Sequence, residues 1–265
     1  MNRVYLDYNA SAPLREEARE AMVHAMALAG NPSSVHAEGR QARAIVETAR
    51  QQVAAALGAQ GADVIFTSGA TEAAGLALTG RGIRCADIEH EAVSSWCQSD
   101  LSCGLDGGVA CQAPGATALQ LANSETGILQ QLPDGLALCD MTQAFGKLPV
   151  AFHWSGATMA LVSAHKIGGP KGVGALIVKR GTEVAAQIKG GGQEMGRRSG
   201  TENVIGIAGF GAAAEAAQRD LADGVWEQVE KLRNILEKAV AQSASETIFV
   251  GQGGRRLPNT SYMIS

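Results

Sequence analysis

The sequence predicts an α/β fold, a three-layer sandwich in which helices cover a mainly parallel sheet. Short β-like runs alternate with segments of helical period, which is typical of this class. Hydrophobic residues make up 46% of the 265 residues and aromatic residues only 4%, while the chain has 33 glycines. This composition favours close packing of helices on a sheet over an aromatic-rich β-sandwich. The length allows one large domain and part of a second.

Four long helices are predicted from apolar residues that recur every three or four positions. The first ends before Gly30-Asn31-Pro32 and the second ends at Gly58, because glycine and proline terminate helices. A fifth helix follows the turn at Gly69. The four long helices are predicted at 14–29, 37–57, 203–222 and 225–243.

The strands are predicted from short apolar runs bounded by turn residues. In a parallel sheet, the ligand lies beyond the carboxyl ends of the strands, where several polar residues follow these runs. The runs are 64–66, 83–88, 109–112, 118–122, 136–140, 159–163, 173–178 and 247–250. The polar candidates are Thr71, His90, Asn123, Ser124, Asp140, Gln143, His165 and Lys166.

Lys166 follows the apolar run 159–162 and precedes the glycine-rich run 168–172. Burial lowers the pKa of a lysine, so a lysine at the end of a buried strand is a candidate nucleophile that forms a Schiff base with an aldehyde. The alternative, from these residues alone, is a solvated loop lysine.

The turn 67–72 joins a strand to a helix and is rich in small residues. Small residues let a ligand approach the backbone, and free N–H groups at the start of a helix favour a phosphate. Thr71 adds a hydroxyl. The alternative is an ordinary loop.

Asp140 and His90 each allow two interpretations. Asp140 is either a helix N-cap or a carboxylate that keeps the pyridine nitrogen of pyridoxal phosphate protonated. His90 is either a surface histidine or a ring that stacks on this cofactor and carries protons. Together with Lys166 and Thr71, these residues contain the parts of a pyridoxal phosphate site.

Charge and composition exclude several classes of protein. The net charge is −4 and the basic residues are scattered, which argues against a nucleic-acid partner. No apolar run is long enough to span a membrane and the N-terminus does not resemble a signal peptide, so we expect a cytoplasmic protein without a membrane partner. The five cysteines form no C-x-x-C pair, which argues against a disulfide scaffold or a zinc site.

Eight motifs occur in the order found in one enzyme family, from Tyr5 to about Thr260. They are 5–10, 31–34 with His36, 66–72, 89–90, 123–127, 140–143, 163–166 and 198–201. With these motifs the sequence resembles the cysteine desulfurases, which belong to the class V aminotransferase group of fold-type I pyridoxal 5'-phosphate enzymes. The resemblance implies a PLP-dependent transferase-like fold.

The resemblance implies a role for each matching residue. Lys166 would bind the cofactor aldehyde, Asp140 would pair with the pyridine nitrogen, and Gln143 would reach the ring oxygen. His90 would stack on the ring and move protons with Lys166. Thr201 would reach the phosphate of the partner subunit's cofactor, which predicts a homodimer. The other expected cofactor-binding residues are Gly69, Ala70, Thr71, Asn123, Ser124, Ser163 and His165.

The implied reaction converts L-cysteine to L-alanine, with transfer of sulfur to an enzyme cysteine and then to an acceptor or scaffold protein. The implied domains are a cofactor-binding domain at 1–240 and the start of an incomplete small domain at 241–265. Residues 1–14 are expected to pack on the small domain.

The sequence departs from the family pattern in three ways. None of the five cysteines matches the family's sulfur-accepting motif, and no arginine is assigned to the substrate carboxylate. The spacings 71–90, 90–124 and 124–140 are shorter than expected. Ser124 stands where the family usually has an asparagine. A selenocysteine lyase or another class V aminotransferase or lyase is therefore an alternative, and so is a non-catalytic relic that dimerises or binds a partner.

Overall fold

The computed structural model describes residues 3–244 and 246–265. Met1, Asn2 and Ser245, which belong to the predicted N-terminal segment and the predicted small domain, lie outside the described residues. The helices are α1 (Glu16–Met26), α2 (Ala37–Ala56), α3 (Ala70–Leu78), α4 (Glu91–Ser94), α5 (Val204–Ala222) and α6 (Val225–Ser243). The strands are β1 (Asp63–Thr67), β2 (Arg84–Ala86), β3 (Gln98–Leu101), β4 (Thr117–Gln120), β5 (Leu138–Asp140), β6 (Met159–Ser163), β7 (Gly174–Val178), β8 (Ile248–Val250) and β9 (Tyr262–Ile264).

Seven strands form one sheet in the order β1-β7-β6-β5-β4-β2-β3, and β8 pairs with β9 in a separate two-stranded sheet. Strands β6, β5, β4, β2 and β3 pair in parallel. Strand β7 is antiparallel to both of its neighbours, with Gly174 opposite Thr67 on β1 and opposite Ser163 on β6. The predicted mainly parallel sheet is confirmed, with one reversed strand.

Helices cover both faces of the large sheet. Alternate strand residues point to opposite faces, so Val64 and Phe66 pack in the core beneath α2 and α5, whereas Ile65 packs against α3. Helices α2 and α5 approach closely because α5 carries glycine at the crossing: a Cβ on Gly211 would lie 2.6 Å from the Cα of Ala49. The three-layer prediction is therefore confirmed.

Three local predictions differ from the structure. The predicted strand at 109–112 is wrong, because Val109 forms only an isolated bridge with Cys103 and its N–H donates to the Gln130 side chain at 2.9 Å. Strands β3 and β9 have no counterpart among the predicted runs. The first is a polar, exposed edge strand and the second has only three residues, so neither produces an apolar pattern. Helix α1 is shorter than the predicted 14–29.

Within residues 3–244 and 246–265, no helix is both long enough and apolar enough to cross a membrane. The same residues contain no group of three or more histidine, cysteine or acidic side chains arranged to hold a metal ion.

Candidate functional site

A cleft of about 760 Å³ opens at the carboxyl ends of the parallel strands. Ten of the twelve predicted site residues line it, namely Gly69, Ala70, Thr71, His90, Ser124, Asp140, Gln143, Ser163, His165 and Lys166. The topology explains this, because parallel strands end at the same edge of a sheet. Ser11, Ser68, Gln120, Thr142 and Lys171 also line the cleft and had no predicted role.

The turn between β1 and α3 forms what we call the anion end of the cleft. Helix α3 begins at Ala70, so the N–H groups of its first turn have no carbonyl partner within the helix. The Thr67 hydroxyl donates to the Gly69 carbonyl at 2.9 Å and so fixes the turn. Ser163 and His165 line the cleft from the end of β6. This end presents donors and a positive helix terminus to an anion.

Gly174 allows β7 to pass directly behind the anion end. A Cβ at this position would lie 2.7 Å from backbone atoms of Gly69 and 2.7 Å from the carbonyl oxygen of Val162. These neighbours are backbone atoms and cannot move aside as a flexible side chain can. Only glycine therefore lets β7 fit between β6 and the start of α3.

Glu72 anchors the anion end from within the first turn of α3. Its carboxylate accepts the Ser68 N–H at 2.7 Å and the Arg198 Nε–H at 2.7 Å. Burial alone would raise the pKa of the Glu72 carboxyl, but the hydrogen bonds from Arg198 and Ser68 outweigh burial and hold this pKa below its usual value. Glu72 therefore stays charged beside the turn.

Asp140 ends β5 at the floor of the cleft. Burial raises the pKa of its carboxyl, although hydrogen bonding from Thr142, whose N–H donates to Oδ1 at 2.8 Å, and the nearby His90 and Lys166 side chains oppose this shift. A cation bound against Asp140 would favour the carboxylate. Thr142 also lines the cleft, and its buried hydroxyl oxygen has no hydrogen-bond partner in the part of the chain that the structure describes.

Lys166 lies in the turn after β6, and its amine donates to the Asn9 carbonyl. Burial lowers the pKa of this amine, although the negative charges of Asp140, Asp7 and Glu125 oppose the shift. A lowered pKa raises the fraction of uncharged amine, which is the nucleophilic form. The structure thus gives Lys166 the partial burial that the sequence predicts.

His90 has one ring nitrogen committed to the backbone. It is the N-cap of α4, and its Nδ1 accepts the Ala92 N–H at 3.1 Å. Since Nδ1 is an acceptor in this contact, Nε2 is the atom that is left to exchange protons with a ligand in the cleft. The sequence predicts the position of His90 but does not indicate which of its two ring nitrogens is held by the backbone.

Asn9 is the centre of what we call the lysine end of the cleft. Its carbonyl accepts from Lys166 and, at 2.9 Å, from the Gln143 amide. Its side-chain oxygen accepts from Lys147 at 3.3 Å and from Asn259 at 2.9 Å. This one residue of the N-terminal segment therefore joins the cleft to the segment after β8.

Lys147 is a buried cation next to the cleft, with 2% of its surface exposed. Its amine donates to the Gln143 Oε1 at 2.9 Å. Burial, together with the charge of Lys166, lowers the pKa of Lys147 to about 7. Because lysine can offer only donors while charged, Lys147 fixes the Gln143 amide with its nitrogen toward Asn9. The sequence does not predict a role for Lys147, and its only signal is that it lies four positions after Gln143.

Two predicted site residues do not line the cleft. The buried Asn123 side chain shapes its own turn, because its Oδ1 accepts the N–H groups of Glu125 at 3.0 Å and Thr126 at 2.9 Å, and its amide donates to Ile88. Thr201 is exposed outside the cleft. Their contacts with a cofactor stay predictions, and the geometry of Asn123 explains why an asparagine is needed there in any case.

Comparisons with known proteins identify the family. A model of the aminotransferase class-V family matches residues 4–104 and 114–261. A cysteine desulfurase of Frankia sp. (strain EuIK1) is 38% identical over an alignment of 306 positions, which covers 97% of this chain and 73% of that protein. The solved structure of a NifS-like protein from Rickettsia africae ESF-5 has a TM-score of 0.91 at 30% identity, covering 99% of this chain and 81% of that one. The structure of SspA in complex with cysteine has a TM-score of 0.74 at 29% identity, covering 80% of this chain and 72% of that one. The chain therefore belongs to the aminotransferase class-V family.

Proposed function

We propose that this chain is a pyridoxal phosphate-dependent cysteine desulfurase, which converts L-cysteine to L-alanine and passes the sulfur to an acceptor. The observation that carries the proposal is that an amine, an anion-binding turn and a carboxyl lie together in one cleft. A partly buried lysine, Lys166, lies in the same cleft as the anion end and the partly buried carboxyl of Asp140. Relatives named cysteine desulfurase and the SspA complex with cysteine support the choice of substrate.

Pyridoxal 5'-phosphate, the cofactor of the class V family, fits the chemistry of the residues in the cleft. The anion end, with Thr71, Ser163 and His165, would hold the phosphate. Asp140 would hold the ring nitrogen in its protonated form. At Gly69 an added Cβ would meet only the Ser163 hydroxyl, at 3.9 Å, so the turn leaves room for a ligand. When bound, the cofactor supplies an electron sink that weakens the bonds at the substrate Cα.

The chain's own residues then orient the substrate and move protons. The Lys166 amine, with its lowered pKa, would take and return the proton at the substrate Cα. Nε2 of His90 would exchange a proton with the reacting groups, because Nδ1 is held by Ala92. Gln143 donates one amide N–H to Asn9 and keeps the other for the ring oxygen of the cofactor.

The sulfur acceptor and the assembly belong to this proposal as well. None of the five cysteines, all of which lie in the described ranges, lines the cleft. Sulfur would therefore pass to a thiol other than these five, such as that of an acceptor or scaffold protein. Thr201 is exposed, as it must be to reach the cofactor of a partner subunit in a homodimer. A cytoplasmic location stays a prediction from the sequence.

The test combines an absorbance spectrum with product analysis. The chain is loaded with pyridoxal 5'-phosphate, and alanine and sulfide are measured after addition of L-cysteine and a thiol acceptor. We expect a near-visible band, which is lost in Lys166→Ala and kept in Lys171→Ala, a control at another lysine of the same cleft. Alanine without added keto acid supports a desulfurase, whereas alanine that requires a keto acid indicates transamination. A loaded protein without the band contradicts the proposal.

A further inference from the structure

Three carboxylates lie beside the anion end, where a bound phosphate would place further negative charge. Glu72 lies in the first turn of α3, and Glu194 and Glu202 line a small cavity of about 50 Å³ that shares Ser68 with the cleft. Charges of one sign this close together repel an anionic ligand unless cations balance them. Two arginines supply that balance.

Arg50 balances Glu194. Its guanidinium donates to both oxygens of the buried Glu194 carboxylate, at 2.7 and 2.9 Å. Glu194 also accepts the N–H of Phe66 on β1 at 2.8 Å. Both groups of this ion pair therefore have partners within the protein, and neither residue lines the cleft.

Arg198 balances the other two carboxylates. Its Nε donates to Glu72 Oε1 at 2.7 Å and its Nη2 to Glu72 Oε2 at 3.3 Å, while the charge of Glu202 also acts on it. The same Glu72 carboxylate accepts the Ser68 N–H, so the guanidinium is one contact away from the turn that offers its N–H groups to the cleft.

We propose that Arg198 is a positioning residue for the anion end: it cancels the charge of Glu72 and holds the turn 68–71 in the conformation that binds the cofactor phosphate. The proposal rests on the proposed function, because it takes the ligand to be a phosphate-bearing cofactor. Arg198 itself lies behind Glu72 and does not line the cleft.

The chain offers a matched control in the neighbouring residue. Arg197 also pairs with a carboxylate on the same side of the sheet, since its Nη1 donates to Asp63 at 2.7 Å. The exposed fractions of the two ion pairs are alike, 23% and 18% for Arg198–Glu72 against 21% and 16% for Arg197–Asp63. Asp63, however, begins β1 at the end remote from the cleft. Each substitution therefore removes one partly buried arginine–carboxylate pair, although Asp63 keeps the exposed Arg180 at 4.0 Å. Only Arg198 lies at the anion end.

The experiment compares two ligands by equilibrium dialysis with the Arg198→Met and Arg197→Met variants. Pyridoxal 5'-phosphate carries the phosphate and pyridoxal lacks it. We expect Arg198→Met to bind pyridoxal 5'-phosphate about ten- to a hundredfold more weakly than the parent, and Arg197→Met to bind it within about threefold. Pyridoxal should bind all three proteins equally. Equal weakening of both ligands in Arg198→Met, or equal weakening in both variants, overturns the proposal.

Glu72→Gln tests the charge independently of any loss of folding in Arg198→Met. The amide oxygen can still accept the Ser68 N–H, and the positive charge of Arg198 is then offset only by the more distant Glu194 and Glu202. Pyridoxal 5'-phosphate should therefore bind about three- to tenfold more tightly. Unchanged or weaker binding overturns the proposal. Dialysis registers the bound ligand whether or not Lys166 reacts with it. The two proposals therefore fail in different ways. The proposed function fails if the ligand binds without the Lys166-dependent band, and the Arg198 proposal fails if all variants bind the ligand with equal affinity.

Discussion

The two ends of the cleft are built in different ways. The anion end consists of consecutive residues of one strand, turn and helix, and the hydrogen bonds that fix it, from Thr67 to Gly69 and from Ser68 to Glu72, span two and four positions. At the lysine end, the contacts of Asn9 with the cleft and the segment after β8 span 115 to 251 positions. The turn of the anion end is therefore specified locally and is supported by one distant residue, Arg198, across 126 positions. The lysine end, in contrast, depends on distant contacts throughout.

The largest expected effect is that of Asn9→Ala on stability. The substitution removes partners of Lys147, Asn259 and Thr260, and buried polar groups that lose their partners cost about 1–3 kcal/mol each. We expect the free energy of unfolding in urea to fall by about 2–4 kcal/mol. The control, Asn31→Ala, removes an exposed local contact with the Ser33 N–H and should cost under about 1 kcal/mol. Equal losses of unfolding free energy in the two variants would show that the distant contacts of Asn9 stabilise the fold no more than a local contact does.

Gly174→Ala should damage the anion end. The added Cβ would lie 2.7 Å from backbone atoms of Gly69 and Val162, and overpacking of this kind costs about 1–3 kcal/mol. In equilibrium dialysis, the variant should lose more affinity for pyridoxal 5'-phosphate than for pyridoxal, each measured against the parent protein. Gly253→Ala is the control, because nothing lies within 4 Å of its added Cβ, and its free energy of unfolding should change by less than about 0.5 kcal/mol. A well-tolerated Gly174→Ala would contradict the close packing of β7 on the turn.

Lys147→Met should change how stability depends on pH. The folded chain releases the Lys147 proton near pH 7, whereas the unfolded chain keeps it up to about the ordinary pKa of 10.5. The unfolded state therefore binds more protons between pH 7 and 10.5, and Lys147 makes the free energy of unfolding rise with pH in this window, by at most about 1.4 kcal/mol per pH unit.

The measurement is the difference in unfolding free energy between the parent and Lys147→Met in urea at pH 7 to 10. The free energy of unfolding of the parent should increase relative to that of the variant as the pH rises. Burial of Glu89 raises the pKa of its carboxyl to about 9, which gives the opposite slope up to that pH, but Glu89 is present in both proteins and cancels in the difference. A constant difference would show that Lys147 keeps its proton in the folded state.

The smallest effect is expected for Ser124→Ala. Ser124 contributes to the lysine end through its backbone, since its carbonyl accepts from the Asn9 amide at 3.2 Å. Its hydroxyl only donates to the exposed Glu125 at 3.3 Å. Thermal unfolding should therefore show a stability change below about 0.5 kcal/mol. A loss of stability above about 1 kcal/mol would show that the hydroxyl has a structural role that these contacts do not explain.

The same contrast explains what the sequence can predict. Lys166, Asp140 and the turn 67–72 each follow a strand that the apolar pattern identifies, so their arrival at one cleft follows from parallel topology. For these residues, the local motif indicates both the chemical role and the position at the end of a strand. Helices with a clear period, such as α2 and α6, are predicted within one residue at each end.

Residues that act through distant partners give no such signal. Lys147 and Asn9 meet across 138 positions, and nothing in the residues around either one indicates the other. Arg198 appears in a motif, but its contact with Glu72 depends on how the loop between β7 and α5 folds back on α3. Asn123 is predicted as a ligand because it follows the apolar run 118–122 and belongs to the motif 123–127, and the structure instead satisfies its side-chain oxygen within a turn.

The reversed direction of β7 has a consequence for the reaction of Lys166. Since β6 and β7 are antiparallel neighbours, the segment between them leaves the sheet at Ser163 and re-enters it at Gly174, directly opposite. Its first residue is tied back as well, because the Ala164 N–H donates to the Val173 carbonyl at 3.0 Å. Lys166 is thus carried on a loop whose two ends are fixed to each other. Such preorganisation limits the entropy that the chain must lose when the lysine forms a covalent bond.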